Sequence, residues 1–277
     1  MAAVPAFAGV TSAEPPTAWH NAEVRPVATL VGGLEQAALL EFMGPKCDAW
    51  ALSTYARCEF RCVYCVTGVQ GASTPKLPTD VLVERLRAEL RHRPEVRIAV
   101  GALCDAYPDV EQRLGVTRTA IEVLVEEERT FGITTKGTTV LRDADLLLRA
   151  GGRASVTVSL CSTDDAVLRQ LDRRAPRVAE RLGVVQELAA QGIDVKVSAA
   201  PWIPGVTDAE ALLDAVGDAA QVWFTVLNVH DPHVASTRFA RRFDQARLNA
   251  AFERERDRIG PRRGVFWFDP DPLDPAC

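Results

Sequence analysis

Short β-rich runs alternate with helical segments along most of the chain, and this alternation limits the available folds more than any other feature. Six runs rich in Val, Ile, Phe or Thr predict strands at 48–54, 96–102, 130–135, 154–160, 194–200 and 221–227. Between them, apolar residues recur at helical spacing, most clearly at 79–92 and 178–190. Strands that alternate with helices predict parallel βαβ units with right-handed crossovers. We therefore expect an α/β fold, a partial (β/α)6 TIM-like barrel with its chemistry at the carboxyl ends of the strands.

The helical segments carry boundary signals. Thr79 stands before leucines spaced three to four residues apart and is a candidate N-cap. Gly192 follows the second segment, where it would end the helix. Thr207 and Glu210 have the spacing of a capping box, which predicts another helix start.

Pattern strength divides the chain into three regions. Residues 1–45 are weakly patterned and rich in Ala and Pro, which predicts a loosely structured lead-in with one short helix near 34–42. Residues 46–235 hold the predicted core barrel. Residues 236–277 predict a C-terminal helix followed by an aromatic run and a tail that close the barrel, the run being either a last strand or a plug. A chain of 277 residues suits a single barrel domain.

Charge and hydropathy exclude several classes of function. The net charge of −5 disfavours nucleic acid as a partner, because phosphate backbones attract basic surfaces. No stretch approaches the roughly 18 apolar residues of a membrane helix, and the first twenty residues lack a Lys or Arg before an apolar core. We expect a cytoplasmic protein. The odd number of cysteines, seven, favours a reducing compartment and a metal site over a disulfide framework.

Three of the cysteines stand close together directly after the first predicted strand. Cys58, Cys62 and Cys65 have the spacing CxxxCxxC. Three thiolates can hold three irons of a [4Fe–4S] cluster and leave the fourth iron open to a cofactor. Structural zinc sites favour paired CxxC units with four protein ligands, and the sequence has no second pair. The spacing therefore favours a cluster, with a zinc site or three unrelated buried cysteines as the alternatives.

This triad resembles the signature of the radical S-adenosylmethionine superfamily, in which an aromatic residue commonly precedes the third cysteine. Tyr64 has that place here. The resemblance implies that S-adenosylmethionine binds the open iron and that one electron splits it into methionine and a 5′-deoxyadenosyl radical, which takes hydrogen from the substrate. It also implies an external one-electron reductant such as flavodoxin or ferredoxin. The protein then orients the substrate, since the cofactor carries the difficult chemistry.

Within that superfamily, residues 48–230 resemble the spore photoproduct lyase-like branch. The segments that carry the likeness are 101–108 with Glu111 and Thr117-Arg118, then Thr134-Thr135-Lys136, 156–159, 171–176 and 200–205, with Asp172 and Arg173 in place of the branch's usual Glu and Pro. The resemblance implies that Lys136 and Ser159 contact the methionine and ribose portions of S-adenosylmethionine, and that Tyr64 and Ile203 flank adenine. Asp105 and Arg174 join this cofactor-binding set on the same motifs.

The residues that would act on a substrate resemble the lyase less. Where the lyase has a hydrogen-donating cysteine, this chain has Ala102, and Val66 replaces the tyrosine that follows the triad. Cys104, Cys161 and His230 follow predicted strands and are the candidate catalytic residues, as hydrogen donors or substrate contacts. The alternatives are that both cysteines are small buried hydrophobes and that the histidine belongs to a hydrogen-bonded turn.

These patterns support three hypotheses for function. The first is a radical S-adenosylmethionine enzyme that acts on a small-molecule substrate, with the reaction, by a lyase or otherwise, left open. The second is a lyase-like DNA repair enzyme, for which the basic segment with Arg238, Arg241, Arg242 and Arg247 is the one local argument. The third is a non-catalytic iron–sulfur or zinc protein that binds or senses.

Overall fold

An eight-stranded sheet, in which the strands follow one another in chain order, organises the computed structural model, which describes residues 39–43, 49–93, 95 and 97–268. The strands are β1 (Leu40–Phe42), β2 (Ala49–Leu52), β3 (Arg97–Val100), β4 (Phe131–Thr135), β5 (Ala154–Ser159), β6 (Asp194–Trp202), β7 (Gln221–Val226) and β8 (Val265–Phe268). Strand β1 pairs antiparallel with β2, and every later pair in the sheet is parallel. The expected α/β partial barrel is confirmed.

Helices connect the parallel strands. They are α1 (Thr79–Arg91), α2 (Glu111–Leu114), α3 (Val116–Glu126), α4 (Ala144–Ala150), α5 (Asp165–Leu171), α6 (Val178–Ala190), α7 (Ala209–Val216), α8 (Pro232–Ala235) and α9 (Gln245–Ile259). Each long helix buries one apolar face, as Leu82, Leu86 and Leu90 do on α1. Strands β2, β4 and β5, covered in this way, are buried along almost their whole length, which is typical of parallel sheets. None of the helices in the described part of the chain has the length and hydropathy to cross a membrane.

Two edge strands correct the count of six. Strand β8 pairs parallel with β7, with Val265 opposite Val222, so the aromatic run left open above is a seventh parallel strand. Strand β1 lies where the lead-in helix was expected to end, while 34–38 and the tail from 269 onward lie outside the described residues. The backbone N–H groups of Leu39 and Leu40 donate to the Glu89 carboxylate of α1 at 2.8 and 2.9 Å. A segment of three residues is too short for its own pattern to predict a strand, and here the contact with α1 holds it in place.

Two predicted helix starts are wrong by one residue. Thr79 is the first residue of α1, whose N-cap position is Pro78, and it makes no capping bond. Asp208 caps α7 by accepting from the Ala211 N–H at 3.0 Å, and the Thr207 hydroxyl instead accepts from the Ile203 N–H at 3.1 Å. Thr207 therefore closes the turn at the carboxyl end of β6. The predicted end of α6 is confirmed, with Gly192 at a φ of 81°.

Candidate functional site

A cavity of about 530 Å³ opens at the carboxyl ends of the parallel strands. The predicted site residues that line it are Cys58, Cys62, Tyr64, Cys65, Cys104, Asp105, Lys136 and Ser159. Cys161, Arg174, Ile203 and His230 are not among the lining residues. The lining residues come from the loops after β2, β3 and β4 and from the ends of β5, β6, β7 and β8. The cavity therefore forms where the seven parallel strands end.

Residues 69–71 run beside the cysteine loop and hold its backbone by hydrogen bonds. The Cys58 N–H donates to the Val69 carbonyl at 2.7 Å, and the Gly71 N–H donates to the Cys58 carbonyl at 2.9 Å. The Gln70 side-chain amide donates to the Cys62 carbonyl at 2.8 Å. Residues 69–71 therefore fix two of the triad cysteines through their backbone, which leaves the thiols free to face the cavity.

A second attachment joins the cysteine loop to the end of α5 and to the loop between α5 and α6. The Val63 N–H donates to the Leu171 carbonyl at 2.9 Å, and the Arg174 N–H donates to the Phe60 carbonyl at 3.2 Å. Cys62 and Asp172 form an isolated antiparallel bridge between these bonds. The observed contribution of Arg174 is thus a backbone bond that positions the triad, and its side chain is exposed.

Cys58, Cys62 and Cys65 are a set of ligands of the kind that a cluster takes. Among residues 39–43, 49–93, 95 and 97–268, no three His, Cys, Asp or Glu side chains are grouped to hold one metal ion. A tetrahedral zinc site needs its ligands around one point, whereas the thiolates of a cubane each bind a different iron. Burial raises the pKa of Cys58 to about 11 and the pKa of Cys62 above its usual range. Metal binding at this triad would therefore release protons.

A buried ion pair lies behind the cysteine loop. Arg181 Nη1 donates to Asp172 Oδ2 at 2.9 Å, and the two side chains are both 0 % exposed. The Tyr64 hydroxyl donates to the other carboxylate oxygen of Asp172. Arg181 also donates to the Ser159 carbonyl at 3.0 Å and to the Pro176 carbonyl at 2.8 Å. The pair thus ties the cysteine loop to the end of β5 and to α6.

Asp172 is a carboxylate in this setting. Burial acts to raise its pKa, but the charges of Lys136 and Arg181 outweigh burial and lower the pKa below its usual range. Sequence reasoning treated Asp172 only as a departure from a motif and missed Arg181. A signal for Arg181 existed, because it stands three residues after Val178 on the buried stripe of α6, where a charge is unexpected.

Lys136 is the cation of the cavity. Its ammonium nitrogen lies 5.7 Å from the centre of the Tyr64 ring, within cation–π range. Burial acts to lower the pKa of Lys136, but Cys62 and Asp172 outweigh it and raise the pKa above its usual range. The side chain is therefore an ammonium at neutral pH, beside the triad.

Asp105 connects the loops that follow β3 and β4. Its Oδ1 accepts from the Tyr107 N–H at 2.9 Å and from the Thr135 hydroxyl at 2.6 Å, and its Oδ2 accepts from the Lys136 N–H at 2.8 Å. The loop after β3 lies so close to β4 that a Cβ built on Gly101, at a φ of 84°, would collide with the carbonyl oxygen of Thr134. The bonds show Asp105 holding the backbone of Lys136, and its predicted contact with a cofactor stays a prediction.

The two candidate thiols have different positions. Cys104 is buried and lines the cavity; burial first, then the charges of Cys58 and Asp105, raise its pKa above its usual range. Cys161 is outside the lining, with its Sγ 4.0 Å from the Tyr64 hydroxyl oxygen, and burial raises its pKa to about 12. Strand β5 ends at Ser159, two residues before Cys161, so the alternation of side chains along a strand does not place Cys161 on the same side as Ser159.

The remaining predicted residues lie outside the cavity. His230 is exposed, and its N–H donates to Asn228 Oδ1 at 3.0 Å in the turn after β7. Asp231 caps α8 by accepting from the His233 N–H at 2.9 Å, which is the turn arrangement weighed above. Ile203 is fully buried, while Ala200 and Pro201 from the same segment line the cavity.

A partial parallel barrel gathers three thiols and a lysine ammonium at its carboxyl edge, which is where barrel enzymes have their active sites. Residues 52–216 match the model of the Radical SAM superfamily, and the chain belongs to that superfamily.

Comparison with curated proteins gives relatives that share this core. An uncharacterised protein of Mycobacterium tuberculosis (strain H37Rv) and one of Mycobacterium bovis are each 29 % identical over 199 residues. The alignment covers 65 % of this chain and 58 % of each relative, so the chain spans less than two thirds of the relatives' length.

Solved structures share the fold at low identity. Spore photoproduct lyase complexed with dinucleoside spore photoproduct matches with a TM-score of 0.60 and 14 % identity, covering 83 % of this chain and 79 % of the lyase. Streptococcus suis SuiB bound to the precursor peptide SuiA matches with a TM-score of 0.60 and 12 % identity, covering 80 % of this chain and 49 % of SuiB. At this identity the two likenesses establish the partial barrel and nothing about the substrate.

Proposed function

We propose that this chain binds a [4Fe–4S] cluster through Cys58, Cys62 and Cys65 and cleaves S-adenosylmethionine reductively to abstract hydrogen from a small-molecule substrate. One observation carries the proposal: the three thiols line the same cavity as Lys136 and Ser159. A cluster ligand set and polar groups for an amino acid and a ribose are then within one enclosed space. Five unpaired cysteines among the described residues suit a reducing, cytoplasmic setting.

When bound, the cluster supplies the electron that splits the sulfonium and so provides a 5′-deoxyadenosyl radical. The chain's own residues position the reactants. The Lys136 ammonium is the group that would bind the cofactor's carboxylate, and the Ser159 hydroxyl would bind a ribose oxygen. Tyr64 and the wall formed by Ala200 and Pro201 would flank the adenine, with Ile203 in the core of the same segment.

The side of the cavity formed by β6, β7, β8 and the residues after β7 supports a proposal for the substrate class. Its lining residues include Ser198, Thr225, Val226, Leu227, Asn228, Val234 and Phe268. Among the described lining residues, the only charged ones are Asp105 and Lys136, both beside the cysteine loop. A polyanion such as DNA would meet no cation in this half, whereas an uncharged molecule with both hydroxyl and apolar groups would find matching partners. We therefore propose a small, uncharged, amphipathic substrate.

Cys104 is our first choice for a hydrogen donor to a substrate radical. It is the cavity thiol outside the triad, and its raised pKa keeps the S–H bond that such a donor needs. Cys161 and His230 remain weaker proposals, because neither lines the cavity in the described part of the chain.

The test is anaerobic reconstitution with iron and sulfide, reduction with dithionite, and chromatographic measurement of 5′-deoxyadenosine from S-adenosylmethionine. Wild type should load a cluster with a broad absorption band and release 5′-deoxyadenosine, and Cys62→Ala should do neither. Cys277→Ala, the same change at a cysteine outside the triad, should behave as wild type. A fully loaded wild-type chain that forms no 5′-deoxyadenosine would refute the proposal.

A further inference from the structure

An exposed cleft rich in arginine lies on the outer side of the cysteine loop. Its lining residues are Arg61, Val63, Gln70, Gly71, Arg173, Thr237, Arg238 and Phe239. We call it the arginine cleft. The side chains of Arg61, Arg173 and Arg238 are all exposed, and none of them forms an ion pair with a residue in the described part of the chain. No acidic residue is among the described lining residues.

The arginine cleft and the cavity share one loop and occupy its two sides. Cys62 and Tyr64 line the cavity, while the alternate residues Arg61 and Val63 line the cleft. The loop is anchored on the same side, because Val63 is bonded to Leu171, the last residue of α5, and Arg173 follows in the loop between α5 and α6. A molecule seated in the cleft would therefore lie against the loop that carries Cys62.

The charge of the cleft opposes that of the whole chain. The net charge is −5, so an acidic protein meets overall repulsion from the chain and local attraction at this patch. Exposed, unpaired guanidinium groups lose little solvation when they meet carboxylates at a wet interface, and they steer association at low salt. Charge complementarity therefore selects an acidic partner and also its orientation, with its contact face toward the cysteine loop.

We propose that the arginine cleft is the docking surface for an acidic one-electron donor protein that carries a flavin or an iron–sulfur centre. The proposal rests on the proposed function, which requires one electron per cleavage. In the transfer, the donor would lose one electron and the centre held by the triad would gain it, with no atom exchanged. The cleft shares its loop with the triad, and this suits the patch to electron transfer rather than to substrate entry.

Binding of a flavodoxin to the cluster-loaded chain is the first test, measured by flavin fluorescence at low salt. The variant Arg173→Glu/Arg238→Glu should weaken binding about tenfold or more, and the difference should vanish near roughly 0.5 M salt. Arg149→Glu/Arg263→Glu is the matched control, since both residues are exposed and unpaired among the described residues and lie on α4 and before β8. It should bind as wild type. Equal weakening in both double variants, or no flavodoxin or ferredoxin binding to wild type, would overturn the docking surface.

Two reductants separate this proposal from the proposed function. With dithionite, the cleft variant should form 5′-deoxyadenosine at the wild-type rate; with reduced flavodoxin, its rate should fall about tenfold at low salt. An equal loss with both reductants would overturn the docking role, because it would place the arginines in the cleavage reaction itself. Single-stranded DNA that binds through these arginines more tightly than flavodoxin would also overturn it. If loaded wild type is inactive with dithionite, the proposed function fails, and the binding comparison still decides the docking surface.

Discussion

Removal of the charge on Asp172 should destabilise the protein far more than removal of an exposed carboxylate. Asp172→Asn leaves Arg181 buried without its counter-ion, and both side chains are 0 % exposed. Breaking a buried pair from one side costs about 3 to 5 kcal/mol. For a domain of this size, each kcal/mol lowers the melting temperature by roughly 2 to 4 °C. We therefore expect Asp172→Asn to melt at least ~6 °C below wild type.

The measurement is thermal unfolding of the cluster-free chain with its thiols reduced, followed by circular dichroism. Asp145→Asn is the matched control, because Asp145 also pairs with an arginine, Arg118 at 2.8 Å, but is 53 % exposed. It should cost about 1 kcal/mol or less. Adding Arg181→Met to Asp172→Asn should recover part of the loss, since the uncompensated buried charge is then gone.

The pH dependence supplies an independent check. The folded-state pKa of Asp172 is lowered, so the stability it contributes is complete above its unfolded pKa of about 3.9 and is lost as pH falls through the lower folded value. The gap between wild type and Asp172→Asn should therefore be constant near neutral pH and shrink below about pH 4. A loss no larger than that of Asp145→Asn, or a gap that does not shrink in acid, would refute the reasoning.

Three further predictions concern the cavity. Lys136→Met should weaken S-adenosylmethionine binding by roughly tenfold to a hundredfold, measured by equilibrium dialysis of the loaded chain, because a charge-assisted hydrogen bond is lost; unchanged affinity would exclude the carboxylate contact. Cys104→Ala should still form 5′-deoxyadenosine with dithionite but should lose transfer of solvent deuterium to product, and retained transfer would exclude this thiol as donor. Gly101→Ala should lower the free energy of unfolding by more than about 1 kcal/mol, seen in urea titration, since its positive φ and the Thr134 carbonyl leave no room for a methyl group. A stability equal to wild type would contradict that strain.

The strands and long helices could be predicted because their patterns repeat within short windows. The run predicted at 194–200 is β6 and the segment predicted at 178–190 is α6. Both could be predicted because a buried strand or the buried face of a helix has a pattern of apolar residues within one short window. The triad was visible for a similar reason. Its ligands lie within one loop, so their spacing alone carries the chemistry.

The placement of single side chains outside regular elements could not be predicted. Ser159 lines the cavity while Cys161 does not, because the period of two ends with the strand. His230 was chosen for its chemistry, and the turn after β7 leaves it exposed. Strand β1 depends on Glu89, about fifty residues away, which no local window contains.

By itself, therefore, the sequence determined the succession of strands and helices, the parallel barrel they imply and the three cysteines of one loop, all of which depend on neighbours along the chain. Only the tertiary structure decided that Asp172 and Arg181 form a buried pair behind Tyr64, and that the arginine cleft faces outward from the loop whose other side faces the cavity. Burial and charge pairing are properties of residues brought together from distant parts of the chain, and their energies arise only once solvent is excluded between them.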